Sequence, residues 1–119
     1  MTEFAAADPI YVYAVMGGAE QGSLPVSGID PARPVTLLAV GDVQAAVSHV
    51  RHELFNEQAV RVGLDDSAWL AANVLAHQHV LDALLATGQP VIPMRFCTVY
   101  PDSDALAASL ERHNGAFAA

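Results

Sequence analysis

Val35-Thr-Leu-Leu-Ala-Val-Gly-Asp-Val-Gln-Ala-Ala-Val-Ser-His-Val50 decides the fold. Two apolar runs flank Gly41-Asp42, a two-residue turn signal, so the stretch reads as a β-hairpin with strands over 35–40 and 43–50. Upstream, Ile10-Tyr-Val-Tyr-Ala-Val-Met16 follows Pro9 and stops at Gly17-Gly18. Its β-branched and aromatic residues are apolar on both faces, which predicts a central strand. Residues 17–34 are rich in glycine and carry Pro25, Pro31 and Pro34. They predict a long loop, with an irregular extended piece from Leu24 to Ile29.

Downstream of the hairpin, 51–62 predicts a short helix with Leu54, Phe55 and Val60 as its apolar residues. The strongest helical signal follows. Asp66 or Ser67 is an N-cap, the helix runs to about Ala86, and Thr87-Gly88 closes it. Leu70, Val74, His77, Leu81, Leu84 and Leu85 recur at helical spacing and predict one buried stripe. Val91-Ile-Pro-Met-Arg-Phe-Cys-Thr-Val-Tyr100 predicts a strand with Ile92, Met94, Phe96 and Thr98 on one face. Pro93 cannot donate a ladder hydrogen bond, which places that strand at an edge. Asp102 opens a last helix with Leu106 and Leu110 inward, ending near His113-Asn114-Gly115. The order of elements predicts an α+β domain of ferredoxin-like type: a four-stranded, mainly antiparallel sheet with helices packed on one face. All 119 residues fit one such domain.

Composition narrows the function. Thirteen acids stand against five arginines and no lysine, for a net charge of −8. Such a surface repels phosphate backbones and anionic lipid, so neither nucleic acid nor membrane is expected as a partner. Without lysine there is no Schiff-base chemistry. One cysteine, Cys97, cannot close an intramolecular bridge, and the acidic start is unlike a basic leader; both fit the cytoplasm. Of the 119 residues, 22 are alanine and only 15% are charged. The surface is therefore weakly charged and suited to partners or to self-association.

The chemistry-bearing residues are few. His77 and His79 are two apart and point to different sides of a helix, and no cysteine pair accompanies His49 and His52, so no metal site is expected. No cofactor motif is present. His77 lies in the apolar stripe and reads as a neutral, hydrogen-bonded core imidazole. Arg95 has two readings, a structural ion pair or an anchor for a partner. Cys97 reads as a small buried hydrophobe. The competing class is a small ferredoxin-like enzyme or ligand-binding domain with a helix–sheet pocket near His77, Arg95 and Cys97.

Tyr11-Val-Tyr-Ala-Val, Gly28-Ile29 with Pro34-Val35, Gly41-Asp-Val-Gln-Ala-Ala-Val-Ser48, Trp69-Leu70, Ala76-His77 and Val80-Leu81 together resemble the gas vesicle protein GvpL/GvpF family. The most specific piece is Pro90-Val-Ile-Pro-Met-Arg-Phe-Cys-Thr98, which is similar to the family's P-V-I-P-[ML]-R-F-G-T segment, with Cys97 at the glycine position. The resemblance covers about residues 10–112. It implies an N-terminal domain of modified ferredoxin-like topology, followed in the family by a helical second domain that is expected to be absent from residues 1–119. It also implies an accessory protein of gas vesicle assembly, in the cytoplasm and at the vesicle, and not an enzyme. The implied partners are the hydrophobic shell protein GvpA and other vesicle proteins. On the edge strand, Pro93, Arg95 and Phe96 are the expected partner-binding residues.

Overall fold

The computed structural model describes residues 8–17 and 22–112, without the side chains of 22–25. The elements run β1 (Ile10–Gly17), β2 (Gly22–Ser27), β3 (Pro34–Val40), β4 (Val43–His49), α1 (His52–Phe55), α2 (Glu57–Leu64), α3 (Ser67–Leu85), β5 (Val91–Pro93), β6 (Val99–Tyr100) and α4 (Ser103–Arg112). The strands form one sheet in the order β2-β3-β4-β1-β5, and β6 also pairs with β1. Every pairing is antiparallel. The α+β class therefore stands, but the sheet has six strands rather than four.

The hairpin forms as its sequence predicts. Val40 pairs with Val43 across Gly41-Asp42. Gly41 takes φ +60° at the first turn position, as a type II′ hairpin requires. The central strand is β1, between β4 on one side and β5 and β6 on the other. Its register shifts between Val12 and Ala14. The bulge puts Tyr13 and Ala14 in the same hydrophobic cluster, so Tyr11, Tyr13, Ala14 and Met16 face one side while Ile10, Val12 and Val15 face the other.

Helices cover both sides, which corrects the expectation of one helical face. Phe55 of α1 and Val80 and Leu84 of α3 join the Tyr11–Tyr13 cluster. Leu106 and Leu110 of α4 close over Ile10, Val12, Val15 and Val47 on the opposite side. Apolar residues on both faces of β1 call for two covers, and α4 is the second. No helix lies between β1 and β3 among the described residues, where a split βαβ unit would place one. That interval instead supplies β2, an edge strand paired with β3, so the expected loop over 17–34 is partly strand.

Local chemistry sets the helix ends. Asn56 interrupts the helix expected over 51–62. Its extended backbone ends α1, and its side-chain oxygen accepts from the Ala59 N–H to start α2. The Asp66 carboxylate accepts from the N–H groups of Ala68 (3.0 Å) and Trp69 (3.2 Å) and caps α3 as expected. Gly88 takes φ +81° just beyond its end. The buried face of α3 is rotated from the expected stripe. His77, Val80 and Leu84 are buried and Leu70 and Leu81 are half-buried, whereas Val74, Leu75 and Leu85 are exposed. Among the described residues no helix is long and apolar enough to cross a membrane.

Candidate functional site

The expected strand over 91–100 is interrupted. Between β5 and β6 the chain leaves the ladder at Met94 and makes a β-turn, in which the Thr98 N–H donates to the Arg95 carbonyl at 3.2 Å. The Thr98 hydroxyl donates to the same carbonyl at 2.7 Å. Cys97 sits at the third turn position with φ +65°. A type II turn requires positive φ there and favours glycine. This is a physical reason for a glycine at this place in the segment that Pro90–Thr98 resembles. Strict alternation of faces along 91–98 does not survive the turn.

The turn is held from below by a hydrogen-bond chain. The Cys97 backbone N–H donates to the Tyr11 hydroxyl oxygen at 3.0 Å. The same hydroxyl lies 2.7 Å from His77 Nδ1. The hydroxyl proton has no other acceptor among the described residues, so it is assigned to an unprotonated Nδ1, which puts the imidazole proton on Nε2. His77 is thus neutral and buried, as its place in the stripe implies. Burial pulls its pKa below the usual value of 6.5, with the Met94 backbone opposing. Burial likewise raises the Tyr11 hydroxyl far above its usual range.

Aromatic rings complete the support. Tyr11 and Tyr13 lie with centroids 4.9 Å apart, Phe55 meets Tyr11 at 5.9 Å, and Trp69 meets Phe96 at 6.3 Å. Gly63 lets Trp69 in, since a Cβ there would fall 2.5 Å from the indole.

The expected partner-binding residues separate into two environments. Pro93 is exposed at the end of β5, opposite Ala14. Arg95 is exposed at the start of the turn and makes no structural ion pair among the described residues. Phe96 is half-buried, its ring 5.9 Å from His77. Pro93 and Arg95 present the turn; Phe96 anchors it.

The trio of the competing reading does not converge. His77 is enclosed under the sheet, Arg95 faces solvent, and Cys97 lines a groove that neither of the others reaches. Burial pushes the Cys97 thiol up to about 11, so it stays protonated and weakly nucleophilic near neutrality.

Two polar clusters have no precedent in the motif reading. Asp30 is fully buried and takes a two-pronged ion pair from Arg51 (2.9 and 3.0 Å) plus backbone N–H groups of Arg51 and Ala32. The Arg51 guanidinium beside it holds its carboxyl down at about 2. The Tyr13 hydroxyl donates to Ser48 Oγ and accepts from the Ile29 N–H, each at 2.8 Å. The first cluster pins the 28–34 segment to Arg51 at the start of α1, and the second pins it to β1 and β4 through Tyr13 and Ser48. No local sequence signal marks them, because Tyr13, residues 28–30, Ser48 and Arg51 meet only in the fold.

Two expected results follow from the turn. Cys97→Gly relieves the left-handed strain, about 1–2 kcal/mol, and returns part of it through the freer unfolded chain, so stability should rise by a net of about 0.5–1 kcal/mol, read as a higher Tm. A lower Tm would contradict the strain reading. The second result concerns acid. The folded pKa of His77 lies below its unfolded value, so below about pH 6.5 the unfolded chain binds more protons and stability falls with pH. Thermal melts between pH 7.5 and 5 should show that decline in the wild type and a flatter profile in His77→Gln. Equal slopes would place the titration elsewhere.

The fold and site define an α+β domain in which Tyr11 and His77 hold the turn from below, with Arg95 and the outer side of β5 turned outward. The chain belongs to the gas vesicle synthesis protein GvpL/GvpF family, whose match covers residues 9–119. It is 34% identical over 105 residues to gas vesicle protein L of Streptomyces sp. (strain CB03234), covering 85% of this chain and 38% of that protein. It is 35% identical over 104 residues to gas vesicle protein F of the same strain, covering 85% and 37%. The chain thus spans well under half the length of these curated relatives. No solved structure matches it significantly.

Proposed function

We propose that this chain acts in gas vesicle assembly as an accessory protein that binds the hydrophobic shell protein GvpA and other vesicle proteins, and that it works by contact rather than catalysis. Its place of action on this reading is the cytoplasm and the vesicle surface. The family match over residues 9–119 is the observation that carries the proposal. On this reading residues 1–119 form one domain, a modified ferredoxin-like unit equivalent to the N-terminal part of the longer relatives.

We assign the partner contact to Pro93, Arg95 and Phe96. Several features support that assignment. The outer side of β5 has no strand neighbour among the described residues, and an unpaired edge accepts an extended segment by β-augmentation. Ile92 is exposed beside it. Arg95 is a residue type enriched at interface centres. Phe96, anchored on Trp69 and His77, fixes where Arg95 emerges.

The test is direct binding of purified GvpA to the immobilised chain. Because apolar and backbone contacts dominate in this proposal, raising salt from low to molar levels should weaken binding only modestly. No binding to GvpA or to any other vesicle protein would overturn the reading for this region of the family.

A further inference from the structure

A half-open groove of about 690 Å³ lies between the α1–α2 corner and the β6–Pro101 segment. Phe55, Val60, Cys97 and Val99 among its lining residues also pack on the aromatic core and form its apolar floor. Glu57 and Asp102 are exposed and stand on its rim. The volume falls in the range that receives ligands or large side chains. The floor carries no charge near neutrality, since the Cys97 thiol is protonated there.

The rim carboxylates are only partly engaged within the chain. Glu57 reaches Arg61 at 2.9 Å in an open i,i+4 pair, with its side chain 85% exposed. Asp102 uses one oxygen to accept from the Ala105 N–H at 2.8 Å, leaving the other for a partner. Among the described residues no arginine lines the groove and His52 is its one basic group, and the chain as a whole carries −8. An apolar slot between two carboxylates, in a chain with this net charge, is complementary to an aliphatic side chain beside a cation.

We propose that this groove binds a segment of a protein partner that presents one or two large aliphatic side chains flanked by arginine or lysine. The aliphatic group sits on Phe55 and Val99, and the flanking cations meet Glu57 and Asp102. This site is separate from the exposed edge at Pro93 and Arg95, and it does not depend on the vesicle reading. Its binding is expected to be salt-sensitive, unlike binding at that edge.

The probe is the capped peptide Arg-Leu-Leu-Arg, titrated into the isotopically labelled chain and followed by amide chemical shifts. The largest shifts should fall at Phe55, Val60, Cys97 and Val99. Affinity should drop at least fivefold in the Glu57→Gln/Asp102→Asn variant, in which asparagine keeps the α4 cap. It should drop similarly for Glu-Leu-Leu-Glu. Absence of shifts at millimolar peptide, shifts centred elsewhere, or equal affinity for the acidic peptide or for the variant would each overturn the proposal.

Discussion

Leu84→Ala is expected to destabilise the chain by about 2–5 kcal/mol, the cost of emptying a fully packed leucine site. Leu84 has no exposed surface and lies in the cluster with Tyr11, Tyr13 and Val80. On the same helix, Val74→Ala and Leu85→Ala remove side chains that are 42% and 58% exposed. Surface changes of that kind stay within about 0.5 kcal/mol. Denaturant unfolding of the three variants therefore reads the rotation of α3 directly. A Val74→Ala loss as large as that of Leu84→Ala would mean that α3 presents the other stripe.

The same helix shows what was legible in the sequence and what was not. Its limits followed from Asp66 and Gly88, because capping is local chemistry. Its facing did not. Val74, Leu75 and Leu85 make α3 apolar nearly all round, so periodicity alone leaves the phase open. Contacts distant in sequence fix it: Trp69 enters the space over Gly63, and His77 bonds Tyr11. The hairpin, the central strand and the inward Leu106 and Leu110 were readable for the same local reasons. The β2 strand was legible only as an irregular extended piece over 24–29, since Pro25 and the glycines around it read as loop and only pairing with β3 makes it a strand. The site followed a similar division. Pro93 at an edge follows from its missing N–H. The turn at 95–98 depends on hydrogen bonds to Tyr11 and within the turn, which alternation along a strand cannot reveal.

Gly28→Ala is the other substitution expected to cost heavily. A Cβ at that position would lie 2.6 Å from Ser48 Oγ, 2.8 Å from the Tyr13 hydroxyl and 3.1 Å from the Arg33 carbonyl oxygen. Two of those atoms belong to the chain Ile29 N–H to Tyr13 to Ser48, which ends on the Pro34 carbonyl at 2.9 Å. The methyl group must displace the hydroxyls, so overpacking is added to buried polar groups left without partners. Together these cost about 2–4 kcal/mol. Tyr13→Phe removes one of the crowding oxygens. In that background the added cost of Gly28→Ala should shrink, a coupling that a double-mutant cycle measures. Additive effects would show that the crowding is relieved by movement of the 28–34 segment instead.

Binding of GvpA by the wild-type chain and by Arg95→Ala, with Tm measured on both proteins, tests the central claim most directly. Arg95 has no side-chain partner among the described residues, so its removal should leave Tm unchanged. If it anchors the shell protein at the β5 edge, affinity should fall more than tenfold, about 1.4 kcal/mol. Unchanged affinity at unchanged Tm would contradict the assignment of the partner contact to this turn.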